Sequence, residues 1–361
     1  MNAYSETHEA HPELLDTYRD IFAAVEKSSH IMLVMHKKPD GDTSGSTLAF
    51  SHYLDLIQKP HTVFCLDTLP SSLRFLPGAH KLTTSPHVWN PDAATFDLMI
   101  VFDSGDLGYN GIKPYVEKLT HQFSIINIDH HITNTNYGHL NLVVQASSTC
   151  EVVSDLLSYK NAMNREIATC LMTGLITDTG GFSNLATTAS SIHTASSLLK
   201  KGVNLKSITT NALQHRSVNS LKLWGRALER MLVHPSGVLT TAITQKDFEE
   251  CGADHTQVEG VSNFLNTIDN TTECSVICVF TEMPNGLVRG SLRTTHPLID
   301  VAKFATLLGG GGHKKAAGFT LSGRLHKHDD GWVVIDDAQA LAHKLFITPT
   351  WTLTTSTLSQ Q

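Results

Sequence analysis

His36, Asp40 and Asp42 lie close together in His36-Lys-Lys-Pro-Asp-Gly-Asp42, directly after the apolar run Ile31-Met-Leu-Val-Met35. The same placement recurs along the chain: Asp103 follows Ile100-Val-Phe102, Asp129-His130-His131 follows Ile125-Ile-Asn-Ile128, and Asp178 closes Leu175-Ile-Thr177. Imidazole and carboxylate together suit Mn²⁺, Mg²⁺ or Zn²⁺ rather than the soft metals that prefer thiolate. Two of these histidines and four of the aspartates suffice for two ions about 3.5–4 Å apart, with a bridging carboxylate and open positions for water and substrate. Pro39 and Gly41 let the chain turn tightly enough for Asp40 and Asp42 to face different ions. Each group alone has a plainer reading. His36 fits a solvated or capping residue, Asp42 an N-cap for a helix beginning near Ser46, Asp129 an orienting hydrogen-bond acceptor, and Asp178 a turn residue. Their repetition at strand or helix ends is what favours one shared site.

A second chemical feature is Gly309-Gly-Gly-Gly-His-Lys-Lys-Ala-Ala-Gly318. Glycines expose backbone N–H groups to an anion, and Lys314, Lys315, Ala316 and Ala317 are expected to begin a helix whose N-terminal dipole favours phosphate. A flexible hinge is the competing reading. Arg293, in Ser291-Leu-Arg-Thr294 at the end of an expected strand, could clamp the same phosphate in bidentate fashion. Neither the P-loop nor the dinucleotide-binding fingerprint occurs.

The elements that must position these residues alternate strand and helix. A helix is expected over Pro12–Lys27, then the strand Ile31–Met35, a loop through Ser46, a helix over Thr47–Gln58 and a strand over His61–Leu66. Strands follow at Asp97–Phe102 and Ser124–Ile128, then helices at Ser148–Tyr159, Arg165–Thr177 and Ser190–Lys201. Such alternation implies an α/β fold with a parallel sheet, and ligands in such sheets bind beyond the carboxyl ends of the strands. Leu205–Leu232 reads as a helical connector. Beyond it come strands at Gly237–Ile243, Cys274–Phe280 and Leu287–Leu292, with helix-like segments either side of the glycine run. The expected organisation is an N-terminal parallel-sheet domain with helices on both faces (1–204), a helical linker (205–234), a smaller mixed α/β C-terminal domain (235–346) and a frayed tail (347–361).

Length and composition agree with two globular domains: 361 residues, 41% hydrophobic and 17% charged. A net charge of −7 argues against a broad footprint on long nucleic acid, which needs many Lys and Arg contacts, but leaves room for a short anion at a local site. Six scattered cysteines without a Cys-x-x-Cys pair suit a reducing cytoplasm. No apolar run reaches the roughly 18 residues of a membrane span, and the polar N-terminus does not read as a secretory signal.

Taken in order, His36 to Ser46, Asp103-Ser-Gly-Asp106, Asp129-His-His131, Thr177-Asp-Thr-Gly180 and Gly309-Gly-Gly-Gly-His313 resemble the DHH phosphoesterases that carry a DHH-associated C-terminal domain. Within them the chain is most similar to the stand-alone branch of nano-RNases, bifunctional oligoribonucleases and 3′-phosphoadenosine 5′-phosphate phosphatases. The resemblance spans about Ile31 to Phe319. It implies two divalent ions, Mn²⁺ above all, with His36, Asp40 and Asp103 on one, and Asp42, Asp103, His130 and Asp178 on the other. Asp103 would bridge, His131 would touch the scissile phosphate, and Asp129 would orient the histidines. Arg293, Gly311, Gly312 and His313 would hold the phosphate or terminal nucleotide of a short RNA or small nucleotide. A homodimer fits the resemblance. The chain departs from the pattern at Thr43, where alanine is usual, and in its longer termini. A cyclic di-AMP or linear dinucleotide phosphodiesterase shares these motifs, and from a different class, a catalytically inactive nucleotide or RNA binder would share the fold.

Overall fold

A computed structural model describes residues 12–91, 95–213, 217–258, 260–268, 274–328, 331–335 and 345–346. Two compact units divide the chain, residues 1–215 and 216–361. The tail expected to fray lies outside the described residues.

The first unit opens with α1 (Leu15–Lys27), β1 (Ile31–Val34), α2 (Gly41–Leu56) and β2 (His61–Phe64). It continues through β3 (Leu82–Thr83), β4 (Leu98–Phe102), α3 (Lys113–Val116), β5 (Ser124–Asp129) and β6 (Leu140–Val143). The helices α4 (Thr149–Tyr159), α5 (Arg165–Asp178), α6 (Ala189–Leu199) and α7 (Leu205–Ile208) complete it. Its strands form one parallel sheet ordered β3-β2-β1-β4-β5-β6. Strand residues alternate between two cores. Leu33, Ile100, Phe102 and Ile128 pack under α1, α2, α4 and α5, while Met32, Val34, Met99 and Val101 pack against Trp89, Ile112 and the α3 region. With both faces covered, strands such as β1 are buried throughout, which explains their unbroken apolar sequence.

The loop expected through Ser46 is instead the first turns of α2. Asp40, not Asp42, is its N-cap, accepting the N–H groups of Asp42 at 3.0 Å and Thr43 at 3.1 Å. Gly41-Asp-Thr-Ser-Gly-Ser46 reads as loop by intrinsic propensity. Here the hydroxyls of Ser46 and Thr47 donate back to the carbonyls of Asp42 and Thr43, both at 2.7 Å, so this buried stretch is satisfied as helix. Its glycines have a packing reason. A Cβ on Gly45 would meet the Cys170 carbonyl at 2.4 Å, and one on Gly41 the Thr177 hydroxyl at 2.2 Å, so α2 and α5 cross too closely for side chains there.

The stretch read as a helical connector holds α7, a π-turn at Thr209–Leu213 and α8 (Val218–Glu229). In the second unit, β7 (Leu232–Val233), β8 (Val238–Ile243), α9 (Gln245–Cys251), α10 (Val261–Leu265), β9 (Val276–Met283) and β10 (Leu287–Arg293) precede α11 (Val301–Leu307). β11 (Gly311–His313) and β12 (Ala316–Ser322) then complete a mixed sheet ordered β11-β12-β10-β9-β8-β7. A three-stranded sheet of β13 (Arg324–His328), β14 (Gly331–Ile335) and β15 (Leu345–Phe346) follows. Helices α8, α9 and α10 cover Leu239, Ile277 and Val279 on one face; α11 covers Cys278, Phe280, Leu292 and Phe319 on the other.

The helix expected from Lys314 is absent. Residues 311–322 form a hairpin in which Ala317 and Phe319 enter the α11 core while Thr320 stays exposed, a two-residue period that only a strand satisfies. Lys314 and Lys315 make the turn, and the Lys315 ammonium donates to the carbonyls of His296 and Ile299. Any anion site here therefore rests on glycine-lined backbone and side chains rather than a helix dipole.

All six cysteines are free and buried. Among the described residues no helix is long and apolar enough to cross a membrane.

Candidate metal centre

In the first sheet the strand order reverses between β1 and β4, and this switch point is where open α/β sheets leave a crevice beyond their carboxyl ends. His36 emerges from β1, Asp103 from β4 and Asp129 to His131 from β5. Asp42 lies in the first turn of α2 and Asp178 in the last residue of α5. Their donor atoms fall into sets lying within 4.8 Å of one another: His36, Asp40 and Asp103; Asp42, His130 and Asp178; and Asp103, Asp129, His130 and His131.

The histidine rings are oriented by the backbone. A carbonyl only accepts, so Nδ1 of His36 donates to Lys37 O at 2.8 Å and Nδ1 of His130 donates to Ala146 O at 3.1 Å. Each Nε2 is thereby turned inward, toward the carboxylates. His36 Nε2 lies 3.6 Å from Asp40 Oδ1 and 3.5 Å from Asp103 Oδ2. His130 Nε2 lies 3.6 Å from Asp103 Oδ1, 3.5 Å from Asp178 Oδ2 and 3.9 Å from Asp42 Oδ2. These separations are long for hydrogen bonds and close to those of donors sharing an ion at about 2.0–2.2 Å. The two oxygens of Asp103 thus face different histidines.

Charge tells the same story. Burial, then the carboxylates of Asp103 and Asp40, hold Asp42 above the usual carboxylate range. Burial with Asp42, Asp103 and Asp40 does the same to Asp178. Burial opposes charging of His36, yet Asp103 and Asp40 outweigh it and push the imidazole up to about 11. Such a surplus of buried carboxylate is what divalent cations offset, so the donor set fits a metal pair.

Asp129 plays a different part. Fully buried, it accepts the backbone N–H of His130 at 2.7 Å, Nδ1 of His131 at 2.7 Å and Nδ2 of Asn134 at 2.6 Å. Against the cost of burial, His131 and Asn134 hold its carboxyl below the usual range. The Asp129 hydrogen bond raises His131 to about 9 and aims its Nε2 outward. Asp106, the fourth residue of the Asp103 motif, makes a turn instead, accepting from Gly108 and Tyr109.

Several participants were invisible to motif reasoning. The first residues of α4 grip the centre: Thr149 and Cys150 donate backbone N–H groups to Asp42 at 2.6 and 2.8 Å, and the Thr149 hydroxyl donates to Asp103 at 3.0 Å. Thr43, the departure from alanine, accepts the N–H of His36 at 3.2 Å and donates to Phe102 O at 3.4 Å, tying the β1 loop to the residue before Asp103. Asp103 itself has φ +56°, a sparsely populated conformation for a residue with a side chain. Ser148 preceding α4 is a helix-cap signal, but nothing in the sequence says which carboxylate that helix end meets.

In the second unit, register places Arg293, Ala316 and His313 in one row across β10, β12 and β11. Arg293 donates Nε to Asn263 at 2.8 Å. Gly311 shares their face, whereas Gly312 pairs with Ala317 on the opposite one.

A model described as the DHH family, N-terminal domain, matches residues 30–175, and one described as the DHHA1 domain matches residues 243–345. The bifunctional oligoribonuclease and PAP phosphatase NrnA of Thermus thermophilus is 33% identical over 306 residues, covering 84% of this chain and 87% of that protein. The protein so described in Bacillus subtilis is 25% identical over 298 residues, covering 81% and 89%. Among solved structures, an exopolyphosphatase-related protein from Bacteroides fragilis superposes with a TM-score of 0.77 at 25% identity, covering 84% of this chain and 90% of that one.

Proposed function

The chain belongs to the DHH family of phosphoester hydrolases and carries a DHHA1 domain, and on that premise we propose that it hydrolyses very short RNA and 3′-phosphoadenosine 5′-phosphate using two Mn²⁺ ions. The observation carrying the metal reading is Asp103, whose two oxygens lie 3.5 and 3.6 Å from the inward Nε2 atoms of His36 and His130. His36, Asp40 and Asp103 would hold one ion; Asp42, Asp103, His130 and Asp178 the other. Bound there, the pair would acidify water and neutralise charge on the non-bridging phosphoryl oxygens. Asp129 accepts Nδ1–H of His131 and favours its imidazolium form, so Nε2–H is free to donate to a phosphoryl oxygen. Arg293 and His313 would bind a substrate phosphate, with Gly311 and Gly312 beside them.

The test is one preparation with Mn²⁺ on RNA dinucleotide, RNA pentamer, 3′-phosphoadenosine 5′-phosphate, cyclic di-AMP and pyrophosphate. Turnover of the first three is expected. A strong preference for cyclic di-AMP would overturn the substrate reading, and binding without turnover of any would make the chain a nucleotide binder.

The glycine run separates into fold and binding. Gly312 has φ +138° and its Cβ would lie 2.6 Å from the Ala316 carbonyl; at Gly311 no atom lies within 4 Å of a Cβ. Gly312→Ala should therefore lower stability by about 1–3 kcal/mol. Gly311→Ala should keep the melting temperature while raising KM for short RNA by about tenfold, roughly 1.4 kcal/mol. An unaltered KM for Gly311→Ala would remove the exposed glycine from the substrate path.

A further inference from the structure

Alternate residues of a strand share a face, so Arg289, Ser291 and Arg293 of β10 point the same way. Across β12 their partners are Thr320, Gly318 and Ala316, and on β11 Gly311 and His313 continue the last two rows. The result is a trough across the sheet. One wall is Arg293 with His313, the other Arg289 with Thr320, and the floor of Ser291, Gly318 and Gly311 carries no side chain larger than a hydroxymethyl group. Three strand residues separate the walls, a spacing of four strand steps or about 13 Å.

This face is only partly covered where the trough runs: Ser291, Gly318 and Arg293 are half-buried, with Arg293 held by Asn263 of α10. On β9 the same face is buried under α8, α9 and α10, but Arg289, Thr320, Gly311 and His313 are exposed. Arg289 makes no hydrogen bond or ion pair among the described residues. Among the described residues no carboxylate stands in any of the three rows, so neither guanidinium is paired with an acid across the sheet. Arg293 reflects it: burial, then the charge of Arg289, lowers its pKa. Two cations flanking a bare floor are an arrangement for two anionic groups with something flat between them.

We propose that Arg289 holds a second phosphodiester of a bound short RNA, farther along the strand than the phosphate at Arg293, with the intervening sugar or base lying over Ser291, Gly318 and Gly311. The inference rests on reading the chain as a hydrolase of short RNA and extends it to length selection. A mononucleotide engages the Arg293 wall, and an oligomer engages both.

The experiment compares kcat/KM for an RNA pentamer with that for 3′-phosphoadenosine 5′-phosphate, in the full chain with Mn²⁺. Arg289→Ala should lower the pentamer-to-mononucleotide ratio about tenfold, the loss of one charge-assisted phosphate contact, and Arg289→Lys should restore most of it. Equilibrium binding of the pentamer to the Asp103→Asn protein should show a log–log salt slope shallower by about 0.7 when Arg289 is also replaced. A ratio and slope that both stay put would overturn the second subsite, as would an equal loss on both substrates, which would make Arg289 a source of general field. Failure of the underlying reading shows separately, as wild-type protein that does not cleave the pentamer.

Discussion

Asp103→Asn should yield a folded protein that binds one divalent ion where the wild type binds two, with kcat on 3′-phosphoadenosine 5′-phosphate and RNA dinucleotide down by about 10³-fold or more. Asparagine is the informative replacement. It tolerates the φ of +56° at this position, whereas alanine would add strain of about 1–2 kcal/mol and confuse folding with chemistry. It also keeps an acceptor for the Thr149 hydroxyl, which lies 3.0 Å from Oδ1. What it removes is the negative charge facing both His36 and His130. Calorimetric titration with Mn²⁺ reads the stoichiometry, and steady-state kinetics the rate. Two bound ions together with near-normal turnover would sink the bridging role.

The second large effect is expected at a glycine, which carries no functional group of its own. A Cβ on Gly174, in the middle of α5, would sit 2.2 Å from Cys150 Sγ and 2.8 Å from Asp42 Oδ1. Gly174→Ala must push away the α4 N-terminus, which grips Asp42 through two backbone N–H groups, or Asp42 itself. The overpacking should cost about 1–3 kcal/mol of stability. Displacing a ligand and its support should weaken metal binding by about 10–100-fold. Adding Cys150→Ala separates the two effects: it removes the nearest clash and should recover much of the melting temperature, while the contact with Asp42 keeps metal affinity low. Full recovery of affinity in the double variant would show that Gly174 serves packing alone.

Much of this molecule was legible in its sequence because burial on both faces of a parallel sheet demands unbroken apolar strands, and those are easy to see. Ile31–Val34, Leu98–Phe102 and Ser124–Asp129 are such strands, and His and Asp residues lie at their carboxyl ends. The start of α2 was not legible, since Gly41 to Ser46 is poor helix sequence that forms helix only because α5 lies against it and its hydroxyls can turn back on the backbone. Nor was the hairpin after the glycine run. Lys-Lys-Ala-Ala favours helix locally, but Ala317 and Phe319 bury against α11 only with a strand's period.

The His36 to Asp42 loop, Asp103, Asp129 to His131 and Asp178 were thus determined as candidates by residue type and position alone, because metal ligation is a property of side-chain chemistry. The resemblance implied how they divide; only the tertiary structure supplied the geometry. It turns the two oxygens of Asp103 toward different histidines, saturates Asp129 with hydrogen bonds, and brings Thr149, Cys150 and Gly174 to Asp42 from helices more than a hundred residues away along the chain. It likewise aligned Arg289 with Arg293 across a bare floor of glycine, since register between strands is set by which faces are buried. Such contacts depend on backbone groups and missing side chains, which carry no chemical signature of their own until the fold supplies their neighbours.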